Sequence, residues 1–259
     1  MSFSRGFQLT FGLLLVGSFL KLALPTFYNT IVGNAIITSS LFIAFTFLTI
    51  KQDSVDTQEL FPKIPVSRKI YFIIVLATIS MYLPAWLIME IEVLLKNGLN
   101  DYLLKNNEIF AWSSRLKFFL TSLIVSPIVE ELFFRGLLLS SFKRRYDNTK
   151  AILFSSLLFG MSHLKMDATF VSAFVDAFLS GCLFGWIFVT TQNIRASIFA
   201  HFFWNILVYL FPFTMFHSAF KIESLSTFVL FGIGIVVFSM LIGFIGIKLY
   251  RDLRRIEHH

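Results

Sequence analysis

The sequence predicts an all-α, polytopic membrane protein of about eight transmembrane helices. Three observations carry this. Of 259 residues, 56% are apolar and 34 are phenylalanine, more hydrophobic side chain than one water-soluble core can enclose. The apolar residues fall in eight long runs rather than in the alternating pattern of strands. The basic residues gather in the connections that would lie on one side of the bilayer.

The runs are residues 7–27, 28–50, 70–94, 117–142, 150–165, 168–190, 194–214 and 225–249, the fifth being the shortest. At about 1.5 Å of rise per residue, some 20 residues cross the hydrocarbon layer. The first run lacks a small-residue cleavage site and is followed at once by the second, so it reads as a retained helix, not a signal peptide. With the N-terminus inside, the internal segments hold fourteen of the 22 lysines and arginines and the external ones six, leaving only Lys21 and Arg135 within spans. This asymmetry predicts a multi-pass protein of the cell membrane with both termini cytoplasmic. It also accounts for the net charge of +7, which therefore does not imply a nucleic-acid partner.

Two polar connections interrupt the runs. Residues 51–69 read as a cytoplasmic loop, and residues 96–117 as an amphipathic helix on the outer interface anchored by Trp112. "KRRYDNTK" (143–150) reads as a turn with a positive-inside anchor. There is no internal repeat, so residues 1–259 read as a single transmembrane domain. The lone Cys182 excludes an intrachain disulfide and reads as a small buried apolar residue.

"SPIVEELFFRG" (126–136) puts Glu130, Glu131 and Arg135 inside an apolar run. Each such charge costs about 2.5–3.5 kcal/mol at mid-bilayer on insertion scales, so each needs a partner or a task. Glu131 and Arg135 are four apart and share a helical face, where they neutralise one another. Glu130 projects about 100° away and remains the unpaired carboxylate. Pro127 interrupts the backbone ladder just before it. Further on, "FGMSHL" carries Phe159 and His163 one turn apart, and "HFFWN" carries His201 and Asn205 one turn apart. Rise per residue puts all of these in the same half of the membrane.

A carboxylate and two imidazoles can hold and deprotonate a water, with or without a Zn²⁺ ion, and His and Asn donors can stabilise an oxyanion. That kit suits hydrolysis of an acyl bond. Both the metal-bound and the metal-free forms remain open at this level. Asp176 reads either as a hydrated residue near the outer interface or as a partner for a histidine, and Glu90 and Glu92 as hydrated at the outer end of the third run. Gly181 and Gly185 form a G-x-x-x-G that predicts a close helix contact.

Taken in order, Glu130-Glu131-x-x-x-Arg135, Phe159-x-x-x-His163 and His201-x-x-x-Asn205 resemble the motifs of the CPBP family of CAAX proteases and bacteriocin-processing enzymes, also called Abi. "FLSGCLFGWIFVTTQNIRASIFAHFFWN" resembles the family between the last two motifs, and the likeness covers about 120–206. The resemblance implies a CAAX-protease-like bundle and an intramembrane endopeptidase acting on membrane-anchored or prenylated-type peptides. Catalytic Glu130 and His163 would activate water, and His201 and Asn205 would serve the oxyanion or a metal. Glu131 and Arg135 would support them, with Glu130, His163 and His201 as the ligand set if Zn²⁺ is bound. It also admits bacteriocin or pheromone processing, self-immunity, or a non-catalytic immunity or regulatory partner. A transporter would show repeat symmetry between halves, and none is visible.

Overall fold

A computed structural model describes residues 1–28, 30–52, 64–105, 123–164, 170–210 and 224–257. Each of the eight apolar runs is helical over most of its described part, and no strand occurs among the described residues. In chain order the elements are α1 (Phe3–Ala23), the single turn α2 (Pro25–Tyr28), α3 (Ile31–Gln52) and α4 (Arg68–Lys105). One further rod comprises α5 (Ser126–Glu131), a π-helical stretch (Leu132–Leu139) and α6 (Ser140–Lys143). Then come α7 (Asn148–Ser162), α8 (Phe170–Thr191), α9 (Ile194–Leu210) and α10 (Leu225–Glu257).

Four of these helices, α1, α4, α8 and α10, contain stretches long and apolar enough to cross a membrane, and shorter apolar stretches lie in α3 and α9. The all-α polytopic class read from the sequence therefore stands. Large apolar side chains such as Phe19, Phe47, Leu230, Met240 and Phe244 are exposed on α1, α3 and α10, a surface that suits lipid.

The helices pack as two groups that share α8. In one, α1, α3, the π stretch and α7 bury Phe42, Phe133, Phe134, Leu137, Phe142 and Phe159. In the other, α4, α9 and α10 bury Tyr82, Trp86, Trp204 and Phe228. Helix α8 gives Phe188 to the first group and Phe184 to the second. The expected G-x-x-x-G contact is present. A β-carbon built on Gly181 would lie 3.1 Å from Ser156 Cβ and 3.2 Å from Phe159 Cδ1, and one on Gly185 would lie 3.2 Å from Ile152 Cγ2. A side chain at either position would make α7 or its side chains give way by a few tenths of an ångström.

One end of the bundle collects the basic connections. The N-terminal amino group donates to the Ser141 carbonyl at 3.1 Å, and Arg5 donates to the Gln52 side chain at 3.0 Å. The turn between α8 and α9 joins the same end. Gln192 takes a left-handed conformation (φ 47°), Asn193 Nδ2 donates to the Ile64 carbonyl at 2.6 Å, and Asn193 Oδ1 accepts from Arg195 N at 2.8 Å, capping α9. Asp147 caps α7 by accepting from Lys150 N at 2.9 Å, and that bond holds its carboxyl below the usual range.

Three expectations need revision. Residues 96–105 continue α4 rather than forming a separate surface helix, while 106–117, with Trp112, lie outside the described residues, as do 53–63 of the first polar loop. Glu90 is buried, 1% exposed, because α8 and α10 pack over this part of α4, and Glu92 accepts from Ser172 N at 2.6 Å, capping the N-terminus of α8. Cys182 is half-buried rather than enclosed.

Candidate active site

Three elements meet where the two helix groups join. Helix α5 supplies Glu130 and Glu131, the end of α7 supplies His163, and α9 supplies His201. Glu130 is 7% exposed and accepts from Ser126 Oγ through Oε1. Its other oxygen, Oε2, is enclosed, has no hydrogen-bond partner among the described residues, and lies 3.9 Å from Nε2 of both His163 and His201. Burial of a carboxylate oxygen without a donor is costly, so this atom calls for a donor such as water.

The ring orientations follow from the atoms behind them. His163 ends α7, and its Nδ1 lies 2.9 Å from the Phe159 carbonyl, which can only accept, so Nδ1 carries a proton and Nε2 faces Glu130. Ser162 Oγ donates to the same carbonyl at 2.7 Å and lies 3.2 Å from that Nδ1. His201 Nδ1 lies 3.0 Å from Glu131 Oε1, which again directs Nε2 to Glu130. A carboxylate behind an imidazole fixes tautomer and ring angle together. Phe159 packs between the two rings, with centroids 4.5 Å from His163 and 5.7 Å from His201, while Phe184 stacks on His201 at 4.7 Å.

Glu131 and Arg135, both fully buried, form the expected ion pair at 2.8 Å. Glu131 Oε2 also accepts from Ser197 Oγ at 2.5 Å. Arg135 donates to the Gly181 carbonyl at 3.0 Å and lies against Phe159 and Phe184, 4.6 and 5.4 Å from their centroids. The π-helical backbone here leaves carbonyls for side chains. Ser155 Oγ donates to the Phe134 carbonyl at 2.8 Å and Ser140 Oγ to that of Arg135 at 3.1 Å. Wide turns also precede Pro127, at residues 123–125.

The structure thus brings Glu130, Glu131, Arg135, His163 and His201 into one cluster. Asn205 is half-buried one turn beyond His201 on α9. Asp176 lies elsewhere, near Tyr82 together with Glu90, and the histidine-orienting role falls to Glu131. Ser126 and Ser197 were not singled out in the sequence. Ser126 could have been, since it sits four residues before Glu130 on the same helical face. Ser197 depends on the packing of α9 against α5, which has no local signal.

Zinc would take the Glu130, His163 and His201 atoms at about 2.0–2.2 Å. At the observed 3.9 Å separations, an ion bonded to Oε2 and either Nε2 would subtend about 130–150°, far from tetrahedral. A water at about 2.8 Å from both atoms would subtend about 90°, close to the angle between its own bonding directions. Among the described residues no group of three His, Cys, Asp or Glu side chains is arranged to hold a metal ion. As placed, the residues fit a water and do not fit zinc.

The fold and this site define the class, a polytopic helical membrane protein with a buried carboxylate–imidazole cluster. Residues 112–207 match the family model described as type II CAAX prenyl endopeptidase Rce1-like, a likeness that supports a CAAX-protease type of protein. Neither the curated proteins nor the solved structures give a match.

Proposed function

We propose that this protein is an intramembrane endopeptidase that uses Glu130 as its general base on peptides held at the membrane, including prenylated-type peptides. The observation that carries the reading is the enclosed, unpartnered Glu130 Oε2 facing two imidazole Nε2 atoms at 3.9 Å.

In this reading a water bridges Glu130 and one imidazole. Glu130 takes one proton as the water oxygen attacks the peptide carbonyl, then passes it to the leaving amine as the C–N bond breaks. Glu131, held by Arg135 and Ser197, fixes His201 so that Nε2 stays aimed at the reacting centre. Asn205 offers its amide to the oxyanion, the kind of contact whose loss costs about 10²–10³ in kcat. Zinc at Glu130, His163 and His201 is the competing form, and it requires those side chains to draw closer than their present 3.9 Å.

The physiological setting we propose is the cell membrane with both termini cytoplasmic and the site in the cytoplasmic half, supported by the basic end formed by the N-terminus, the Ser141–Tyr146 region and the α8–α9 turn. Peptide-pheromone or bacteriocin processing and self-immunity are the tasks this activity would serve.

The test is cleavage of lipidated and unlipidated membrane peptides by purified protein, comparing wild type with Glu130→Gln and His163→Ala. Cleavage that both substitutions abolish supports the reading. A folded Glu130→Gln protein that cuts as fast as wild type overturns it, and one that protects cells fully would favour the non-catalytic partner instead.

A further inference from the structure

Lys21 is the cation within a span that the site does not absorb. It stands exposed in the last turn of α1, its Nζ 5.7 Å from the centre of the Tyr28 ring, and has no carboxylate partner among the described residues. An ammonium group in an apolar segment calls for an anion or for water.

Lys21 also lines a cavity of about 320 Å³. Its lining comes from α1 and α3, among them Leu13, Gly17, Thr38 and Phe42, together with Glu130 and His163. One space is therefore lined by a carboxylate, an imidazole and a cation without a carboxylate partner among the described residues, with apolar side chains and the hydroxyls of Ser18 and Thr38 in the same lining. Helix α1 starts beside Ser141, so Lys21 lies about 27 Å along its axis from that end, whereas Glu130 is about 16 Å from Ser141 along its own rod. The cation sits roughly 10 Å further from the basic end than the carboxylate does.

We propose that Lys21 binds the C-terminal carboxylate of the peptide substrate whose scissile bond is presented to Glu130. This deepens the endopeptidase reading and rests on it. The charge pattern favours a terminal carboxylate over any other occupant. Glu130 repels an anion from its own side, the uncharged walls, apolar with a few hydroxyls, take uncharged side chains, and Lys21 offers three ammonium donors where the peptide ends. Tyr28 keeps the ammonium near the cavity by placing its ring beneath it.

The experiment uses full-length Glu130→Gln protein in lipid nanodiscs, which binds without cutting, and one lipid-anchored apolar peptide made as the free acid and as the carboxamide. The free acid should bind about ten- to hundredfold more tightly than the amide, as expected for a hydrogen-bonded charge pair. Adding Lys21→Met should erase that preference, and Lys21→Arg should retain much of it. Equal binding of acid and amide overturns the proposal. So does an equal weakening of both by Lys21→Met, which would make Lys21 a lipid-headgroup anchor.

Cleavage separates this proposal from the one beneath it. A Glu130-competent protein that cuts acid and amide with equal kcat/KM refutes the carboxylate site and leaves the peptidase standing. A protein that cuts neither, while the Lys21-dependent preference persists in binding, refutes the peptidase and leaves the carboxylate site.

Discussion

Glu131→Ala should destabilise the protein strongly, and the structure sets the scale. Glu131 accepts three hydrogen bonds, from Arg135 Nη1 at 2.8 Å, Ser197 Oγ at 2.5 Å and His201 Nδ1 at 3.0 Å, and both it and Arg135 are fully buried. Removing the carboxylate leaves the guanidinium with the Gly181 carbonyl and two aromatic faces, while its Nε already lacks a partner. Breaking a buried pair from one side costs about 3–5 kcal/mol, chiefly the cost of the charge left behind. At roughly 2–4 °C per kcal/mol for a chain of this size, Tm should fall by about 6–20 °C.

Thermal unfolding in a fixed detergent at a fixed scan rate would measure this. Replacing both charges, as Glu131→Gln with Arg135→Met, should recover part of the loss because no buried ion then lacks its partner. Activity should not return, since His201 loses the carboxylate that orients it. A Glu131→Ala protein melting with wild type would refute the claim that this pair is a buried element of the fold, and a double variant less stable than Glu131→Ala would refute the assignment of the cost to the stranded arginine.

Other substitutions separate chemistry from stability. Glu130→Gln should lower kcat by about 10²–10⁴ while leaving Tm within a degree or two, because Oε2 has no partner to lose; paired kinetics and melting would check it. His163→Ala should abolish cleavage at little cost in stability, whereas His201→Ala should also lower Tm, since side-chain exposure is 38% for His163 and only 6% for His201. Gly181→Leu should cost at least about 1–3 kcal/mol and reduce activity, because its side chain would push on Ser156 and on Phe159, which packs against both histidines; Gly181→Ala should show the same effects more weakly. If water alone is activated, a chelator should leave the rate unchanged, whereas loss of activity that added Zn²⁺ restores would mean that the site closes around an ion.

The sequence alone reveals a great deal about this protein. The all-helical, polytopic class follows from apolar run length, because lipid requires every backbone group to be satisfied within the segment. The Glu131–Arg135 pair follows from helical spacing, Glu130 becomes a candidate through the cost of placing a carboxylate in an apolar run, and His163 and His201 become candidates through the motifs they complete.

What the sequence leaves open is decided by contacts between distant segments. Glu131 is the partner of His201 across 70 residues, and Ser197 reaches it across 66. Glu90 reads as a hydrated end residue until α8 and α10 cover it. Lys21 gains meaning only once α1 and α3 enclose a cavity reaching Glu130. Periodicity records which way a side chain leaves its own helix, whereas the partner it meets depends on how separate helices pack, and no local stretch of sequence encodes that.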